Sequence, residues 1–267
     1  MDFFPRDAAI RRIGREVCLL AGGPAAVVLQ AAHPVVAAGV AAFSRFREAP
    51  YQRLFHTLNT VYAIVFGTQS EVERISAAMI DRHRRIAGPG FSGLDPDAQY
   101  WVLATLIKAA IENYERVYGR LADPVRETYY KDMLVFGRCF GLDPAGYPQH
   151  WPDFVAYYQA MLAGPRLGSG DHCHEVIHAI VYPRAPWYLR IAMPWTRFLI
   201  VEQIPAELRH RLGLRSTRWT RIQWAFFQRI IGLIRFMPRR LRWVPAHFKA
   251  EKRTRKASKG SPFVESP

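Results

Sequence analysis

The chain has 267 residues, of which 50% are apolar, 13% aromatic and 22% charged. That balance excludes a disordered or fibrous chain, and the length suits one large domain with a tail and a core able to enclose a cavity. The formal net charge of +15 is unevenly spread, because residues 205–267 hold 16 Lys/Arg against 3 Asp/Glu. A basic segment of this kind seeks phosphates, on nucleic acid or on anionic lipid heads.

Three cysteines, Cys18, Cys139 and Cys173, are too few and too scattered for a disulfide framework or a paired zinc spacing, which points to a reducing compartment. The N-terminus lacks the basic start and apolar run of a secretory signal. Together these features predict a cytoplasmic protein.

Helical periodicity runs through the chain. Residues 8–20 read as a short helix. Val17 to Ser44 carries no formal charge and is long enough for a membrane span, but Gln30, His33 and Pro34 interrupt its middle. A buried central helix kinked at Pro34 is the better reading. Residues 50–67 form the next helix, with an apolar stripe at Leu54, Leu58, Val61 and Val65. Arg53, His56, Thr57 and Thr60 make a second, polar stripe with Phe55 and Ile64 beside it. Such a stripe is expected to face an internal site.

Gly67 ends that helix, and Ser70 to Glu73 has the spacing of a capping box for another. Its apolar face is Val72, Ile75, Met79 and Ile86, with His83 among them, until Gly88-Pro89-Gly90 stops it. Asp95-Pro96 and Asp123-Pro124 each read as an N-cap followed by proline, opening helices to about Tyr118 and Phe140. Residues 151–163 and 171–181 are shorter helices. Pro186 and Pro194 break 184–202, and helices resume over 205–212 and 217–237. The composition beyond Lys249 reads as a disordered basic tail. No strand or repeat is evident. The expectation is an all-α fold, with a domain over 1–248 and a tail over 249–267.

No phosphate-binding glycine loop, dinucleotide fingerprint, His-Glu-x-x-His pair or nucleophile elbow is present. The histidines carry what chemistry there is. His33, next to Pro34, reads most simply as a neutral core imidazole bonded to a carbonyl freed by the proline. His83 reads either as a satisfied core imidazole or as an axial haem ligand. The second reading needs an apolar slot, one imidazole and cations at the rim, which Arg82, Arg84 and Arg85 supply. The stripe Arg53, His56, Thr57 and Thr60 is either a polar network between helices or a distal pocket. His172, His174 and His178 form a separate group; His174 and His178 share a helix face as metal ligands can, although a solvated helix start is the plainer reading.

These segments resemble the family of the rubber oxygenases (latex-clearing proteins) and the membrane-bound oxygenase of mycophenolic acid biosynthesis, above all its short bacterial members. The resemblance is densest over 15–120. It rests on Leu20-Ala21-Gly22-Gly23-Pro24 through Gln30-Ala31-Ala32-His33-Pro34, on Phe46-Arg47, and on Arg53-x-x-His56-Thr57-Leu58-x-Thr60-Val61. It continues through His83-x-x-Ile86-x-Gly88, Leu94-Asp95-Pro96 and Trp101-Val102-Leu103-Ala104-Thr105, with a late echo at Pro238-Arg239-Arg240-Leu241-Arg242-Trp243. It implies an all-α domain around a buried haem b pocket, and cleavage of a carbon–carbon double bond in an apolar olefin by dioxygen.

His83 then matches the proximal iron ligand. Arg53 and Thr57 match residues beside the haem, with Thr60 next to them, and His33 matches a structural histidine. His56 stands where rubber oxygenase has a lysine, which makes it a candidate distal ligand. Leu103 replaces a histidine expected in short members. The aromatic and arginine-rich stretch 218–236 suits an amphipathic helix on an anionic membrane, or else a packed terminal helix with a solvated basic face. The rival readings are a haem-binding protein without turnover, a non-haem metal protein using His172, His174 and His178, and a basic nucleic-acid-binding module. The last leaves His83 and the polar stripe unexplained.

Overall fold

The computed structural model describes residues 1–43, 50–182 and 197–259, with side chains described outside 50–55 and 254–259. The chain is all-α, as its periodicity predicts. Its longest helix, α6 (Pro96–Tyr118), begins as the sequence indicates: the Asp95 carboxylate accepts from the Ala98 N–H at 2.7 Å, and Pro96 opens the first turn. Trp101, Ile107 and Ile111 are fully buried on it, and so is Tyr100, so neighbours enclose α6 on more than one side. Along it lie a 3-10 turn (Val17–Gly22) and α2 (Gly23–Ala31), preceded by the short α1 (Ala9–Gly14). Gly22 permits this approach, because a Cβ there would collide with the Asn113 amide of α6.

The uncharged stretch is not one kinked helix. It breaks at Ala32-His33, and α3 (Pro34–Phe43) leaves at 97° to the segment before it. Pro34 cannot donate to Gln30, so the carbonyls at the break need other donors. The Trp101 indole reaches the Leu29 carbonyl at 2.8 Å, the His33 N–H takes that of Gln30, and the Gly168 N–H takes that of Ala32 at 2.7 Å. No single described helix is long and apolar enough to cross a membrane, although the bent pair passes on length and composition.

α4 (Pro50–Val65) and α5 (Gln69–Arg85) follow. The capping box of α5 lies two residues earlier than expected: Thr68 accepts from the Glu71 N–H, and Glu71 returns by accepting from the Thr68 N–H at 2.9 Å. Ser70 and Glu73 lie within the helix. The expectation of no strand also needs correction, since β1 (Ala87–Gly88) and β2 (Phe91–Ser92) form a minimal antiparallel hairpin turning at Gly90, φ 77°. Two residues per strand leave no alternation to read.

α7 (Asp123–Arg138) starts at Ala122, not with Asp123 as its cap. The Asp123 carboxylate instead binds Arg126 of the same helix at 2.9 Å. α8 (Trp151–Ala163) and α9 (Cys173–Val181) match expectation. Pro186 and Pro194 lie outside the described residues. Then come α10 (Ala206–Arg211) and α11 (Arg218–Ile231), the latter continued by a 3-10 turn to Phe236, and finally α12 (Arg239–Arg242) and α13 (Pro245–Lys259). Helix therefore continues past Lys249, where composition suggested a tail. Ala250 is buried, and Arg253 binds both Glu71 carboxylate oxygens (2.8 and 2.9 Å) and the Phe66 carbonyl.

The three cysteines are free and buried. At the base of the molecule the buried Glu16 accepts from the Tyr118 hydroxyl at 2.5 Å and the Trp243 indole at 2.9 Å, and its backbone bridges to Trp243.

Candidate functional site

His83 lies in the last turn of α5. Behind it the chain closes tightly: the Gly93 N–H donates to the Ile86 carbonyl, and a Cβ on Gly93 would press on the His83 carbonyl. The imidazole is half-buried, with its ring centroid 6.1 Å from that of Phe140. Its Nδ1 is buried and has no hydrogen-bond partner among the described residues. Desolvation holds its pKa below the usual histidine value; the Phe140 backbone carbonyl acts in the opposite sense, and the Arg82 charge adds to the lowering. The ring is therefore neutral at physiological pH and keeps a lone pair free.

α4 packs against α5 and brings His56 to the same turn. Arg82, the residue before His83, donates to His56 Nε2 at 3.3 Å. An arginine can only donate, which assigns the proton on the neutral His56 ring to Nδ1. The polar stripe, however, is not enclosed. His56 and Thr57 are exposed, and the half-buried Thr60 donates its hydroxyl back to the His56 carbonyl at 3.0 Å. Arg53 belongs to the same helix, but its side chain is outside the described set.

On the other side of this turn stands α3. Nine of its ten residues are apolar and non-glycine, yet only Ala37 is buried. Gly39 approaches Ile86 closely, and Phe43, 52% exposed, meets Phe91 of the hairpin edge-on. α5 likewise buries only Val72, although Ile75, Met79, Ile80 and Ile86 are half-covered. The surface around His83 is thus apolar, under-covered and edged by cations. Arg84 and Arg85 are exposed there, and Arg85 is paired with Asp81 at 2.6 Å. An apolar slab carrying negative carboxylates fits such a surface, and a neutral imidazole with an unpartnered nitrogen fits a metal at its centre.

His33 behaves otherwise than the plainest sequence reading. It is neutral and has no exposed surface, but neither ring nitrogen has a hydrogen-bond partner. The carbonyls at the Pro34 break are already taken, as described above. Desolvation first, then Arg166, lowers its pKa to about 4 against the pull of Asp95 and Asp97. Leu103, where short members are expected to have histidine, is buried in the core. His172, His174 and His178 are exposed; His178 stacks on Tyr182. Among the described residues no three His, Cys, Asp or Glu are grouped to hold a metal ion. Sequence reasoning did not anticipate the Arg82–His56 contact or the place of Phe140 beside His83. Both depend on how distant segments pack and leave no local signal.

A family model for the catalytic domain of the ER-bound oxygenase mpaB/B′ and rubber oxygenase matches residues 10–236. Uncharacterised proteins of Mycobacterium bovis and Mycobacterium tuberculosis are each 25% identical over 228 residues, covering 81% of this chain and 88% of theirs. No solved structure matches the chain significantly.

Proposed function

Since the chain belongs to the ER-bound oxygenase mpaB/B′ and rubber oxygenase catalytic-domain family, we propose that it is a haem b-dependent oxygenase acting with dioxygen on an apolar olefin of isoprenoid or lipid type. The observation that carries the reading is His83: a neutral, half-buried imidazole with an unpartnered Nδ1, set in apolar surface that the protein leaves uncovered. When bound, haem supplies the dioxygen chemistry, and the chain sets ligation, polarity and access.

In this reading His83 would hold the haem iron. Arg82, Arg84 and Arg85 are the cations available to the propionates. Arg53 contributes preorganised positive charge where negative charge develops, Thr57 donates a proton, and Thr60 fixes the backbone turn that carries His56. His56 accepts a hydrogen bond from Arg82 at Nε2, so it would serve as a base once that bond opens, or would hold the iron as a second ligand. An apolar substrate is what the family resemblance implies, and the exposed apolar α3 face beside the site supports it.

The test is the absorption spectrum of protein produced with haem supplied, oxidised and reduced, for wild type and His83→Ala. The expected result is a Soret band in wild type that is lost or shifted in the variant. A wild type that stays colourless with haem available overturns the proposal. His56→Ala separates the two roles of that residue: conversion from a six- to a five-coordinate spectrum marks it as a ligand, and an unchanged spectrum with a changed pH profile marks it as a base.

A further inference from the structure

The exposed apolar side chains of this protein are not scattered. Trp219, Ile222, Phe226 and Ile230 follow one another along α11 at steps of three, four and four, and Leu233, Phe236, Met237 and Leu241 extend the series. Each is at least 40% exposed, with Phe226 at 61% and Phe236 at 72%. At 3.6 residues per turn the α11 members form a single stripe. It is distinct from the face that packs on the body, where Thr220, Gln223 and Ile231 are buried. Core formation therefore does not explain it. Isolated exposed apolar residues need no explanation, but a contiguous run does.

The charge around the stripe narrows what can cover it. From Leu208 to Ala250 there is no Asp or Glu and there are 11 Lys/Arg. Arg218 and Arg229 flank the stripe on α11. Arg239 and Arg240 stand beside Leu241, and neither forms an ion pair with a described carboxylate. Just beyond, Trp243 and Phe248 floor an open groove of about 260 Å³ whose walls carry Arg240, Lys249 and Lys252. A second copy of this chain is a poor partner, because self-pairing would bring these cations together. Nucleic acid would match the charge and could stack on Trp219, Phe226 and Phe236, but it has no use for Ile222, Ile230, Leu233, Met237 and Leu241 in the same series. An anionic bilayer matches both: acyl chains take the apolar stripe, and lipid phosphates take the arginines and the groove.

We propose that α11 and the turn that follows it, residues 218–241, form a docking surface by which the protein lies on anionic membrane without crossing it. This proposal rests on the surface alone and is independent of the haem reading. It gives the basic C-terminal quarter a task that the site around His83 does not use.

The experiment is flotation of the full-length protein with phosphatidylcholine vesicles and with vesicles half phosphatidylglycerol. The comparison set is wild type, Phe226→Ser with Phe236→Ser, and Arg239→Ser with Arg240→Ser. All substituted residues are exposed, so the melting temperatures should match, and matching melts are the control for folding. The expected result is binding to anionic vesicles only, weakened by raising salt from about 0.1 to about 0.5 M. Each double variant should reduce it by about tenfold or more, and the summed tryptophan emission, to which the exposed Trp219 contributes, should shift to the blue on binding. Equal binding to both vesicle types, or full binding by the Phe226/Phe236 variant, overturns the proposal. So does light scattering that shows a wild-type dimer made monomeric by that variant, since the stripe would then be an interface between copies.

Discussion

His33 must remain uncharged to remain where it is. Its imidazole has no accessible surface and no hydrogen-bond partner, and its pKa is lowered to about 4 from an ordinary 6.5. Between those values the unfolded chain binds a proton that the folded chain refuses, so stability rises with pH through the window. It is fully present above pH 6.5 and is lost as pH falls toward 4, by about 3 kcal/mol on the order-of-magnitude conversion of that shift. His83 and His247 are displaced in the same direction by burial and add to the slope. Thermal melts from pH 7.5 down to pH 4.5 should show a falling midpoint, and His33→Leu should flatten the slope. A wild-type midpoint independent of pH over that range would contradict the burial of these rings.

Single residues were readable from sequence only as types. His83 stood out because it interrupts an apolar helical stripe, and the structure gives it the half-buried, unpartnered setting that makes it a ligand candidate. His56 stood out for its stripe, but the stripe is open to solvent where enclosure was expected. Its partner Arg82 comes from the next helix, 26 residues on. No spacing rule reaches across that gap.

Among the elements, helix boundaries followed the sequence where a side chain makes the cap. Asp95 caps α6 as its spacing demands. Asp95→Ala should cost about 1 kcal/mol in urea denaturation, because the Ala98 N–H loses its acceptor in the helix around which the core is assembled. A cost near zero would mean that water replaces the carboxylate. Asp123-Pro124 has the same letters but a different outcome, since Arg126 draws the carboxylate into an ion pair within the helix. Thr68 and Ser70 compete for one cap two residues apart, and Thr68 wins with the Glu71 return bond. Pro34 signalled a kink; what it produced is a 97° corner. The sharper angle needs Trp101 and Gly168 as donors, and neither is adjacent to the proline in sequence.

At the scale of the whole molecule, the all-α class was legible because amphipathic periods dominate the chain. The way its ends are joined was not. Glu16 holds Tyr118 and Trp243 together, with Arg15 at 3.6 Å and Arg242 at 3.9 Å. Glu16→Ala strands the buried Trp243 indole, takes the acceptor from the half-buried Tyr118 hydroxyl and removes the counter-charge. It should cost about 3 kcal/mol or more, read by urea titration with Trp emission as the signal. Glu16→Gln, which keeps an acceptor, should cost less. If the two variants are equal, the charge rather than the hydrogen bonds carries the link.

That joint has a consequence for how the protein is made. Residue 16 leaves the ribosome well before its partner at 243, which is synthesised 227 positions later. The same holds for Glu71, which waits for Arg253. The N-terminal half therefore emerges with a buried-type carboxylate unmatched and its hydrophobic flank uncovered. Chains translate at about 5–20 residues per second, so that state lasts on the order of ten seconds or more. Closure comes only once Trp243 and Arg253 have emerged, and products stalled or truncated before them should be insoluble clients of chaperones rather than folded fragments.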